Sequence, residues 1–239
     1  MVNINNVLSR AQQLPGEGAE IYRPNKNYEL IGLHSTFLWN YCDVVTYHQI
    51  VADRLKTLYK EIDVAYEEFR AKREKIDLKN MDDEEAEMYN YRLSMALTGL
   101  RDRESEIDSS AAFLKNNYII LLWAMVEQYL GKTLAIGEKN IKGSSAGGSH
   151  VWRNTVTSFS KIGIDVKACK GYSNIDECRV LNNKIKHVGA VDEDLAKYPY
   201  FSSFLGKDLN TMDFELQRYT DSVFEFVGNV MEEVDLKMV

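Results

Sequence analysis

The sequence is short of cysteine, proline and histidine, and each scarcity removes a class of answer. Three cysteines (Cys42, Cys169, Cys178) among 239 residues are too few and too scattered for a disulfide scaffold or a four-thiolate metal site. They fit a reducing compartment, and a cytoplasmic location is expected. The three prolines stand at 15, 24 and 199, so no helix breaker occurs from residue 25 to residue 198. The four histidines, His34, His48, His150 and His187, have no zinc-type partner at the third or fourth position onward. Neither a G-x-S-x-G elbow nor a local Cys–His signature is present. No metal or cofactor is therefore expected.

Other absences concern location. No basic segment followed by an apolar one opens the chain, so no signal peptide is expected. The most apolar stretch, Tyr118 to Val126, is far short of the roughly 20 residues of a membrane span. Period-two strand patterns are missing too, and an all-α chain is expected.

Charge is present but divided. The net −7 is the sum of −6 over residues 1–130, +6 over 131–190 and −7 over 191–239. The bulk value argues against a general nucleic-acid coat. The basic middle, with ten Lys/Arg against four acids, leaves room for weak, salt-sensitive RNA binding.

Long helices use the freedom that the missing prolines give. Phe37, Tyr41, Val44, His48, Val51, Leu55, Leu58, Ile62, Ala65 and Phe69 alternate by four and three, a coiled-coil-like seam. A helix over 35–76 would be roughly 60 Å long. Asp77–Asp83 reads as a turn capped by Asp82 or Asp83, after which Ala86, Tyr89, Leu93, Ala96, Leu100 and Ile107 resume the repeat. The two seams predict a long antiparallel helical hairpin over 35–108, with 1–34 as an N-terminal segment. Asp108-Ser-Ser110 predicts a break and a new cap, and a third helix follows with Phe113, Leu114, Tyr118, Leu121, Leu122, Met125 and Tyr129 on one face. Gly137 to Ser149 reads as a mobile connector, since it lacks P-loop spacing. Ser149 then caps a helix over 150–161. Ile175–Val188 reads as a helix ended by Gly189, and Thr211 caps a last one to about Leu236.

The stretch that points to chemistry is Cys178-Arg-Val-Leu-Asn-Asn-Lys-Ile-Lys-His-Val-Gly189. At about 100° per residue from Arg179, Asn183 falls near 40°, His187 near 80°, Lys186 near −20° and Asn182 near −60°. Leu181, Ile185 and Val188 fall on the other side. One face thus gathers cations, amides and an imidazole, and its cationic or potentially cationic groups disfavour one another by charge. The helix dipole gives a plainer reason for Lys184, Lys186 and His187 at a C-terminal end.

Asn183-x-x-Lys186-His187-x-Gly189, preceded by Arg179 and by Leu121-Leu-Trp-Ala-Met-Val-Glu127, resembles the HEPN domain over roughly residues 110–190. The resemblance implies a HEPN-like helical bundle over 109–239, packed with the hairpin as one unit. It also implies a homodimer and a metal-independent endoribonuclease, of the kind that serves phage defence or toxin–antitoxin systems. The family's motif is an Arg, usually followed by a polar residue, with four to six residues before a His. His187 matches the histidine and Asn183 the polar residue. Asn182 holds the place of the arginine at the four-residue gap, and Arg179 stands seven intervening residues from His187.

Carried over, Arg179, Asn183 and His187 are the candidate catalytic residues, and Asn182, Lys184 and Lys186 the candidate RNA contacts. His187 would act as acid or base, and the cations would steady the phosphorane. Family members with a degenerate motif act as binding or antitoxin partners. The alternative is therefore a non-catalytic protein that binds a protein partner, nucleotide or RNA, with the 35–108 hairpin as a docking arm.

Overall fold

A computed structural model describes residues 22–76, 81–143 and 151–238. The fold is all-α. Five α-helices follow in order among the described residues: α1 Tyr28–Glu74, α2 Asp83–Lys142, α3 Trp152–Lys161, α4 Tyr172–His187 and α5 Leu216–Lys237. Single 3-10 turns stand at Leu195–Lys197 and Leu209–Thr211, and the sole β-type pairing among the described residues is a bridge between Ala190 and Asp208. The expected turn at Asp77–Asp83 lies mostly outside the described residues. Its last part is seen, where the Asp82 carboxylate accepts from the Glu85 N–H at 2.8 Å and caps α2. Ser149, His150 and most of the N-terminal segment 1–34 also lie outside them.

Three helix boundaries differ from expectation. Asp108-Ser-Ser110 does not break the chain, and α2 runs through it. The Ser110 hydroxyl donates to the Glu106 carbonyl at 2.8 Å, so it is satisfied four residues back inside the helix instead of capping a new one. The expected connector at 137–149 starts later, because Gly137 is helical and buried. A Cβ there would lie 2.9 Å from Ile162 Cδ1 and 3.0 Å from Val234 Cγ1. This glycine serves close packing, not flexibility. The last helix likewise starts at Leu216, since Thr211 belongs to a 3-10 turn.

The chain divides into two compact units, one of residues up to Tyr47 together with those from Lys115 onward, the other of His48–Leu114. The second unit is an antiparallel pair of helical segments. Leu55, Ile62 and Ile107 form its buried centre. The Tyr59 hydroxyl donates to Asp108 at 2.5 Å and the Tyr66 hydroxyl to Glu104 at 2.8 Å, which fixes the register. Three buried side chains make a thin core, at roughly 1.5–3 kcal/mol each.

The first unit holds the main core. Phe37 and Tyr41 of α1 meet Tyr129 of α2 and Phe224 of α5, with Phe37–Tyr129 ring centroids 5.1 Å apart and Tyr41–Phe224 5.3 Å apart. Ile119, Leu122, Val126 and Leu130 of α2, and Val223, Phe226, Val227 and Val230 of α5, are fully or almost fully buried around them. Measured by length and composition alone, a stretch of α2 is apolar enough to cross a membrane, contrary to the sequence estimate; half of it is buried in this fold.

Asp235, 1% exposed, anchors the chain ahead of α1. Its carboxylate accepts from the backbone N–H groups of Asn25, Lys26 and Asn27 at 2.7, 2.8 and 2.7 Å. Asn27 then caps α1 through the N–H of Leu30.

Candidate functional site

Two glycines fix the ends of α4. Gly171, at φ 79°, precedes it, where a Cβ would stand 3.0 Å from the Ser222 carbonyl oxygen. Gly189, at φ 73°, closes it, with its N–H donating to the Lys184 carbonyl at 2.8 Å. Ile175, Cys178 and Leu181 bury one face against the core.

That face takes in Asn182, which is 1% exposed and not on the exposed side with His187. The sequence reading centred the apolar face on Leu181, Ile185 and Val188. Ile175 and Cys178 move its centre toward Asn182, and Val188 at the helix end is half exposed. The Asn182 amide donates to Asn183 Oδ1 at 3.3 Å, and its own Oδ1 has no partner among the described residues.

The other candidates stay accessible in different degrees. Asn183, Lys186 and His187 are exposed. Arg179 is held by Asp176, whose Oδ1 accepts from Nε and NH2 at 2.9 Å each. Lys184 is mostly buried and donates to Asp192 at 2.6 Å, with Asp194 3.6 Å away. Burial alone would raise the Asp192 carboxyl, but the Lys184 and Leu195 hydrogen bonds bring it below the usual carboxylate range. Two of the expected free cations are therefore already paired.

Arg179, Asn183 and Lys184 do line one groove, a cavity of about 530 Å³ completed by Val180, Asp194, Lys197 and Tyr198. His187 is not part of its lining. Eight residues at 1.5 Å rise place His187 about 12 Å along the axis from Arg179. Within one chain the two do not share a phosphate-sized spot.

A second cavity of about 740 Å³ lies across Tyr198. Its walls include Tyr172, Tyr200, Asn174, Glu215 and Arg218. The Tyr198 hydroxyl donates to Asp176 Oδ2 at 2.8 Å, so Tyr198, Asp176 and Arg179 form the partition between the two spaces. Beside it lies an ion pair whose carboxylate is buried. Glu177, 4% exposed, accepts from Arg218 NH2 and NH1 at 2.7 and 3.0 Å and from the Tyr219 hydroxyl at 2.6 Å. The guanidinium carbon stands 4.7 Å from the Tyr219 ring centroid, and buried Arg218 Nε has no hydrogen-bond partner among the described residues. The Glu177 hydrogen bonds raise Arg218 further above its ordinary value, and burial, then Glu177, raises the Tyr219 phenol.

Sequence reading missed this second space. Arg218 and Glu177 stand 41 residues apart, and no local pattern ties them together. Locally, only Tyr198-Pro-Tyr200, two tyrosines about one proline, marks the place in the sequence.

No family model, curated protein or solved structure matches this chain.

Proposed function

We propose that the chain is a HEPN-like, metal-independent endoribonuclease acting on RNA as a homodimer, in phage defence or a toxin–antitoxin system. The observation that carries this reading is the exposed set Asn183, Lys186 and His187 on the last turns of α4, beside a groove that holds Arg179. In the reaction a 2′-hydroxyl loses its proton to a base and its oxygen attacks the adjacent phosphorus. The bond from phosphorus to the 5′-oxygen breaks, and that oxygen takes a proton from an acid. One His187 cannot be base and acid in the same step, so two copies are required, each giving one imidazole. Lys186 and Arg179 supply positive charge to the phosphorane, and Asn183 orients the imidazole or the substrate.

The test is total RNA incubated with the full chain in EDTA, beside His187→Ala. Cleavage by the parent and not by the variant is expected. Equal cleavage by both removes His187 from the mechanism.

A second reading has its own observation. Arg179 is bound by Asp176 and Lys184 by Asp192, as suits a non-catalytic relative that binds RNA, nucleotide or a protein partner. RNA binding that fades with salt, without cleavage of any RNA, would favour it. The 35–108 hairpin would then dock the partner, and a cytoplasmic location goes with either reading.

A further inference from the structure

The cavity bounded by Tyr172, Tyr198, Tyr200 and Glu215 has a chemistry opposite to that of the groove beside it. Its lining carries three carboxylates, Asp176, Glu177 and Glu215, against the single cation Arg218, a net −2. Two of the three are already matched: Asp176 holds Arg179, and Glu177 takes both ends of the Arg218 fork. Glu215 is different. It occupies the N-cap of α5, yet its side chain accepts no N–H from that helix. One of its oxygens lies 2.9 Å from Arg218 NH2, and the side chain is 48% exposed. The carboxylate is therefore oriented but has capacity left.

The walls are aromatic and only partly engaged. Tyr172 stacks on Trp152 at 6.4 Å and 20°, and Tyr200 meets Phe201 edge-on at 4.9 Å. Both tyrosines remain half-buried, on the lining of the cavity. Their phenols are raised, first by burial and then by Asp176 for Tyr172 and Glu215 for Tyr200, as a negative local field requires.

At its edges the protein already fills such settings with arginine. Arg218 combines a carboxylate fork with the face of Tyr219, while Arg179 is held by Asp176 and shares a groove lining with Tyr198. Glu215 and Tyr200 share the cavity lining, and beyond its contact with Arg218 the half-exposed Glu215 carboxylate can accept from a second donor. A planar guanidinium can lie against a tyrosine face while donating to a carboxylate, which suits it better than a compact ammonium. A nucleotide would bring phosphate charge toward a lining that is already negative.

We propose that this cavity is a receptor for a guanidinium group, namely an arginine side chain presented by a partner protein. The inference does not depend on RNA cleavage, and it gives the chain a protein-docking point on the far side of Tyr198 from the groove.

The test uses the full chain and the blocked peptide acetyl-Gly-Arg-Gly-amide, titrated by NMR or calorimetry. Its citrulline counterpart, the same shape without the charge, and guanosine monophosphate are the comparisons. The arginine peptide is expected to bind at least about tenfold more tightly than the citrulline peptide. Glu215→Gln and Tyr200→Ala should each weaken it several-fold, and raised salt should weaken it further. Glu215 lies at a half-exposed helix end, so Glu215→Gln retains the fold, checked by its thermal midpoint, and keeps the test decisive if Tyr200→Ala unfolds. Equal binding of arginine and citrulline peptides, tighter binding of guanosine monophosphate, or no effect of Glu215→Gln would overturn the proposal. RNA cleavage assayed alongside separates the two readings, since arginine binding without cleavage refutes only the nuclease.

Discussion

Replacing Arg218 by Met strands a buried carboxylate, and the consequences can be worked through. Glu177 is 4% exposed and would keep one hydrogen bond, from the Tyr219 hydroxyl. Breaking a buried pair by removing one partner costs roughly 3–5 kcal/mol, more than the pair itself contributes, because the remaining charge is uncompensated. For a chain of this size that is a fall of about 10 °C in thermal midpoint. Urea unfolding of Arg218→Met at neutral pH should show that loss. The double variant Glu177→Leu with Arg218→Met should recover much of the loss. A single variant within about 1 kcal/mol of the parent would refute the reasoning.

Other perturbations have equally definite outcomes. Asp235→Ala deprives three backbone N–H groups of one acceptor, and a loss of about 2–4 kcal/mol is expected by chemical denaturation, with proteolysis near Asn25 accelerated. Gly171→Ala meets both a positive φ and a carbonyl 3.0 Å from the new Cβ, so a cost of at least about 1–2 kcal/mol should appear in thermal melts. His34 is buried, and burial, then Arg23, lowers its pKa. Its unfolded form takes the proton first, so stability should fall as pH drops below about 6.5 and on through the lower folded pKa. His34→Gln should flatten that part of the stability profile.

How much was legible follows from the range of each signal. The four–three alternation around Leu55, Leu58 and Ile62, and the missing prolines, are local, and they forecast long helices and the hairpin. Gly189 ended α4 as expected, since a left-handed C-cap also needs only its own turn. The failures came where a distant contact overruled a local cue. Gly137 read as flexible because Ile162 and Val234 are remote in sequence. Ser110 read as a cap because its alternative, a hydrogen bond to Glu106, leaves no trace in composition. In the candidate site the helical wheel placed His187, Lys186 and Asn183 together on an exposed surface, but it mis-set Asn182. The pairing of Arg179 with Asp176 was within reach of a three-residue rule and was overlooked. The Tyr198 partition and the Arg218–Glu177 pair join segments that only the tertiary fold brings together.

The most direct measurement of the central claim is the chemistry of RNA ends after incubation with the chain in EDTA. A defined RNA, and the same RNA carrying a single 2′-deoxy substitution at the cut position, are compared with His187→Ala. The account predicts 2′,3′-cyclic phosphate and 5′-hydroxyl ends from the parent, no cut at the deoxy position, and no cut by a His187→Ala protein that melts like the parent. Cleavage that persists at the deoxy position or in His187→Ala, or intact RNA throughout, would contradict it.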